Sequence, residues 1–92
     1  SAVVVLEDLL QEVEKGKREK FDFVFIDANK KEYIEYLHLV KKMLSSNGVI
    51  LADNILSHYE KVENYVEELF SDSSFQSQIL ELGAGMMLSY RL

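Results

Sequence analysis

The amino-acid sequence predicts an α/β fold in the order αβαβαββ, a parallel sheet covered by helices and ending in an antiparallel hairpin. Three observations carry this. Apolar residues recur at helical spacing in three separate stretches. Between and after those stretches lie runs rich in aromatic and β-branched residues, the pattern of strands. Gly83-Ala84-Gly85 joins the last two runs, and so short a connection leaves no room for the crossover that parallel neighbours need.

The first helix is read from Leu6, Leu9, Leu10 and Val13, at i, i+3, i+4 and i+7, and Lys15-Gly16-Lys17 ends it. Phe21 to Ile26 is apolar except for Asp22 and reads as a strand buried on both faces. Asn29-Lys30-Lys31-Glu32 has the spacing of a capping box, and Tyr33, Leu37, Val40 and Leu44 continue a helix beyond it. Asn47-Gly48 stops that helix, and Val49-Ile50-Leu51-Ala52 follows as a second buried strand. Ser57-His58-Tyr59-Glu60 repeats the capping pattern before a helical stripe of Val62, Tyr65, Val66, Leu69 and Phe70. The cluster 71–74 is a turn, Phe75 to Leu82 a strand, and Met86 to Leu92 the last strand.

Composition narrows the class. At 92 residues the chain is one small domain at most, and a chain of this length buries only about 60–65% of its unfolded surface. A hydrophobic fraction of 48% sets low-complexity disorder aside. The net charge of −6 argues against the phosphate backbone of nucleic acid as a partner of this segment. Without cysteine there is no disulfide and no thiolate metal site. No apolar run approaches the roughly 20 residues of a membrane span and nothing resembles a signal peptide, so a cytoplasmic protein is expected. Ser1 followed at once by Ala2-Val3-Val4-Val5 reads as a cut inside a longer sequence.

Chemistry is expected beyond the carboxyl ends of the parallel strands, where open α/β sheets bind ligands. One strand ends in Ile26-Asp27-Ala28-Asn29-Lys30 and the other in Ala52-Asp53-Asn54. If these strands are neighbours, Asp27, Asp53 and Asn54 converge, and three oxygen-bearing side chains suit a hard cation such as Mg²⁺. Plainer readings stand beside this one. Asp27 also suits a helix cap, Asp53-Asn54 an ordinary turn, and Lys30 a solvated lysine. His38 and His58 lack a paired histidine at metal spacing, Tyr33 and Tyr36 suit packing, and Met86-Met87 suits strand core and edge. Periodicity alone stops at half of an α/β nucleotide-type fold.

The segments Phe21 to Lys30, Tyr33, and Gly48 to Asn54 resemble the divalent-metal-dependent, S-adenosylmethionine-using O-methyltransferases, the family of the caffeoyl-CoA and catechol enzymes. The resemblance covers nearly the whole chain, and its specific part is the pair of strand-end motifs at this separation. It implies a partial Rossmann-like methyltransferase sheet, with residues 1–92 as the C-terminal half of the domain and the donor-binding N-terminal half absent. It implies Asp27, Asp53 and Asn54 as metal ligands, Lys30 as the general base, and Ala28 beside the methyl donor. The implied reaction transfers a methyl group from S-adenosylmethionine to a hydroxyl of a catechol-like small molecule with Mg²⁺ or a similar ion.

Several departures bear on this. Asn29 stands where many relatives have aspartate, and the family's glycine-rich first turn and ribose-holding acid have no match here. After Asn54 the chain passes directly toward a helix at Ser57, where several plant and animal relatives carry a longer substrate loop. This compact form is similar to microbial, particularly archaeal, members. The fragment alone is expected to be inactive, to pair with its missing half or to form a homo-oligomer, and not to engage membranes. Two other functions stay open: a non-catalytic remnant serving assembly, and a parent enzyme methylating a hydroxylated tRNA nucleoside.

Overall fold

The computed structural model describes residues 2–27 and 29–92; Ser1, Ala28 and the side chains of residues 2–6, Leu6 among them, lie outside the described residues. The elements are α1 (Ala2–Glu14), β1 (Phe21–Ile26), α2 (Tyr33–Met43), β2 (Leu44–Ala52), α3 (Tyr59–Ser71), β3 (Phe75–Leu80) and β4 (Met86–Arg91), with a 3₁₀ turn at Lys30–Glu32 leading into α2. This is the expected order. The strands form one open mixed sheet in the order β1-β2-β4-β3. β1 and β2 are parallel, with Val24 beside Ile50 and Ile26 beside Ala52. β4 runs antiparallel to both β2 and β3, so the hairpin returns its second strand to the middle of the sheet.

Helices α2 and α3 pack together on one face, and the core lies between them and the inward residues of the sheet. Leu37, Val40, Val62, Tyr65 and Leu69 meet Ile50, Ala52 and Met87 there, all of them buried. A fully buried Leu or Ile contributes about 1.5–3 kcal/mol relative to an exposed one, so this single layer is the chain's main source of stability. Ser89 is the one polar side chain buried in this face among the described residues, and its hydroxyl bonds that of Ser77 across the hairpin at 2.8 Å.

The opposite face is bare among the described residues. Phe23 is 56% exposed, Phe25 49% and Tyr90 43%, and register sets Phe23 beside Val49 and Val49 beside Tyr90. The expectation that β1 is buried on both faces is therefore corrected: among the described residues, its Ile26 is buried while Phe23 and Phe25 on the other face stay about half exposed. No described helix is long and apolar enough to cross a membrane.

Five local expectations also change. α2 ends at Met43, and Leu44 already pairs with Phe21 as the first residue of β2. Asn47-Gly48 therefore lies inside a strand rather than ending a helix. Pairing jumps from Phe21–Leu44 to Phe23–Val49, and Asn47 takes φ +63° to absorb the extra residues. Gly48 is needed because a Cβ there would stand 2.6 Å from Leu44 Cγ. The capping box at residues 29–32 is half formed: Asn29 Oδ1 accepts from Lys31 N–H, while Glu32 turns to the Tyr36 hydroxyl. The box at residues 57–60 does not form, since the residue before α3 is His58 and it makes no side-chain cap. Phe70 lies off the apolar stripe, 54% exposed. β3 ends at Leu80, two residues short of Leu82.

Candidate active site

The two parallel strands end side by side, and the polar residues beyond them meet. Asp53 N–H donates to Ile26 C=O at 2.9 Å, extending the β1–β2 pairing one residue past the end of β2. Asn54 Nδ2 donates to Asp27 Oδ1 at 3.0 Å, across 27 residues of sequence. Asp53 Oδ1 accepts from Asn54 N–H at 2.8 Å, which ties the two residues of the second motif together. Asp27 is exposed, whereas Asp53 and Asn54 are half-buried.

Asn54 adopts φ +61°, the left-handed region. Asparagine is among the few residues that enter it at modest cost. The loop after it is held by the turn between β3 and β4: Ile55 N–H donates to Gly85 C=O at 3.0 Å, and Leu56 and Ser57 N–H both donate to Ala84 C=O at 3.0 and 3.1 Å. Ser57 Oγ returns to Asn54 C=O, which is why it is not free to cap α3. A glycine turn that sequence reasoning treated as a connector is thus a clamp on the site.

Lys30 sits in the 3₁₀ turn after Asp27, half-buried, with no side-chain ion pair among the described residues. Ala28 lies outside the described residues. Among them, no three His, Cys, Asp or Glu side chains gather into a metal-binding group. Asn54 is the third oxygen-bearing side chain at these strand ends, beside Asp27 and Asp53. Asp27, Asp53 and Asn54 offer oxygen donors only, the chemistry of a hard divalent ion rather than a soft one.

Sequence reasoning missed one hydroxyl. Tyr33, read as packing, is fully buried and does pack, yet its OH also donates to Asp53 C=O at 2.9 Å. Tyr36 is buried too, and its hydroxyl reaches Glu32. Burial, with Glu32 alongside, raises its phenol pKa. His38 is paired with Glu68, and His58 Nδ1 with the Ser57 hydroxyl that also reaches Asn54 C=O.

The O-methyltransferase family model matches residues 1–92. The chain is 44% identical over 50 residues to a protein of Dictyostelium discoideum described as "Probable caffeoyl-CoA O-methyltransferase 1", an overlap of 53% of this chain and 22% of that relative. It is similar in structure to the O-methyltransferase from Bacillus cereus in complex with SAH, with a TM-score of 0.77 and 24% identity over 92% of this chain and 46% of that one. It is also similar to the O-methyltransferase TomG from Streptomyces achromogenes, involved in tomaymycin synthesis and solved with SAM, with a TM-score of 0.76 and 23% identity over 91% of this chain and 45% of that one. The chain thus spans a little under half the length of these structures and about a fifth of the Dictyostelium relative. At these identities the structural likeness speaks for the fold.

Proposed function

The chain belongs to the O-methyltransferase family, and from that premise we propose that it forms the C-terminal, acceptor-side half of a domain that methylates a hydroxyl with S-adenosylmethionine as donor. The observation that carries the reading is the contact between Asn54 and Asp27, which brings the ends of both parallel strands to one point. Donor use is supported by the two related structures that hold SAH and SAM.

We assign Asp27, Asp53 and Asn54 as the residues that would hold a divalent ion such as Mg²⁺, the Asn54 amide turning its oxygen to the cation in place of its bond to Asp27. A hard cation bound there would lower the pKa of an acceptor hydroxyl beside it. Lys30, in its neutral form, would accept that hydroxyl's proton as general base. The acceptor oxygen would then bond in line to the methyl carbon as its bond to the donor sulfur breaks and the neutral thioether leaves, and positioning by the two strand ends would supply much of the rate. Ala28 is assigned to the donor's side of the site. A catechol-like small molecule is the acceptor that two adjacent oxygens on one ion would suit, which leaves a tRNA nucleoside the less favoured substrate for so acidic a segment. Cytoplasmic location is the matching assignment.

The unpaired edge of β1 and the bare face of Phe23, Phe25 and Tyr90 support a further reading, that the rest of the domain covers them. The 92 residues alone would then be inactive and self-associate. Calorimetry with S-adenosylmethionine, with and without Mg²⁺, tests this. No donor binding is expected from residues 1–92, and methyl transfer is expected from the longer protein, abolished by Asp27→Asn. Strong donor binding by the 92 residues would overturn the assignment of the donor site elsewhere.

A further inference from the structure

We propose that Tyr33 is a positioning residue for the oxygen cluster, its hydroxyl fixing the Asp53–Asn54 peptide so that Asn54 faces Asp27; this rests on reading that cluster as a divalent-cation site. Tyr33 is completely buried, its ring held between Tyr36, 6.3 Å away and tilted, and Tyr65, 5.7 Å away and edge-on. An aromatic ring so enclosed has little rotamer freedom, so its hydroxyl is delivered to a fixed point. That point is the Asp53 carbonyl, 2.9 Å away.

The consequence runs through one peptide plane. Asp53 is tied to β1 by its N–H on Ile26 C=O and to α2 by its C=O under the Tyr33 hydroxyl. The N–H of the next residue is held by Asp53 Oδ1 at 2.8 Å. Rotating this peptide would let Asn54 leave its left-handed φ of +61°, and it would break both bonds. Tyr33 therefore opposes the relaxation that would swing the Asn54 amide away from Asp27. Packing alone does not explain the hydroxyl, because phenylalanine would fill the same space. Losing a group outside a ligand set that orients it typically weakens metal affinity by about 10–100-fold.

Tyr33→Phe removes the hydroxyl and keeps the ring. Binding of Mn²⁺ alone, followed by the paramagnetic resonance of the free ion, is expected to weaken about tenfold with only a modest fall in melting temperature. Tyr36→Phe, which deletes the neighbouring hydroxyl bonded to Glu32, is expected to leave Mn²⁺ affinity unchanged. If Tyr33→Phe binds Mn²⁺ like the unaltered protein while Asp27→Asn loses it, the positioning role is overturned and the cation site stands. If the unaltered protein binds no Mn²⁺, the cation site falls and this role with it. A measurement without substitution stands beside these. The Tyr33 hydroxyl proton should exchange slowly in the NMR spectrum, and a fast-exchanging one overturns the contact.

Discussion

Gly85 stands so close to Leu56 that a Cβ added to it would lie 2.5 Å from Leu56 Cγ. Its φ is +87° as well, so two independent constraints select glycine at the point where the hairpin grips the loop after Asn54. Gly83, at φ +55°, has nothing within 4 Å of its would-be Cβ. Gly83→Ala should therefore cost only the backbone strain, about 1 kcal/mol. Gly85→Ala should add overpacking of about 1–3 kcal/mol to a similar strain. Urea unfolding of the two variants checks the difference, and equal losses would refute it.

Arg91 on β4 closes the end of α2. Its guanidinium donates to Lys41 C=O at 2.7 Å and to Leu44 C=O at 2.6 Å, while its Cζ lies 5.1 Å from the Phe75 ring centre. Lysine cannot make this fork. Arg91→Lys should destabilise by about 1–2 kcal/mol, and Arg91→Ala by somewhat more through lost packing. Thermal denaturation of both variants provides the check.

Lys41 bridges Asp72 at 2.8 Å and Glu68 at 3.0 Å, a network that ties α2 to both ends of the last turn of α3. Hydrogen bonds from Lys41 and then from Ser74 hold the Asp72 carboxyl well below the usual carboxylate range. Glu68 is lowered too: burial works against its charge, but His38 and Lys41 more than offset it. A carboxyl with a lower pKa folded than unfolded stabilises above its unfolded value, near ~3.9 for aspartate, and loses that contribution as pH falls toward the folded one. Lys41 is raised by the same bonds against the opposing effect of its burial, so its share is present below the ordinary lysine pKa and lost as pH rises past the folded one. Asp72→Asn should cost about 1–2 kcal/mol at pH 7, with the gap to the parent protein closing in strong acid. A gap that stays constant from pH 7 down to strong acid would contradict the network's role.

Tyr65 offers the reverse case. Its hydroxyl is buried without a hydrogen-bond partner among the described residues, and burial pushes its phenol far above the ordinary tyrosine range. A polar group desolvated for no bond destabilises, so Tyr65→Phe should be neutral or stabilise by up to about 1 kcal/mol. Calorimetric melting would show a loss of more than that only if the hydroxyl were satisfied.

These residues also show what a sequence discloses. The two strand ends were legible because an apolar run that stops at a carboxylate needs only local pattern to be read. Leu44 was not: its spacing from Val40 suits a helix, and burial would reward it equally in the strand it starts. Ser57 had the right neighbours for a cap, but its hydroxyl turned to Asn54 once the hairpin held the surrounding loop. The Tyr33 hydroxyl and the Arg91 fork depend on partners 20 to 50 residues away, which periodicity does not address. Tertiary partners decided each of these cases.

The position of β4 between β2 and β3 has a consequence for the order of assembly. β2 completes its hydrogen bonding on one side with β1, its predecessor, but on the other only with β4, which follows both α3 and β3 in the sequence. During synthesis on the ribosome, α2, β2 and α3 emerge while β2 still offers an open row of amides and carbonyls to any passing strand. β3 cannot fill that gap, because it joins the sheet only through β4. Closure of this four-stranded sheet should thus wait for the hairpin, and chaperones should hold a nascent chain halted before Met86 longer than one halted after β4 has emerged.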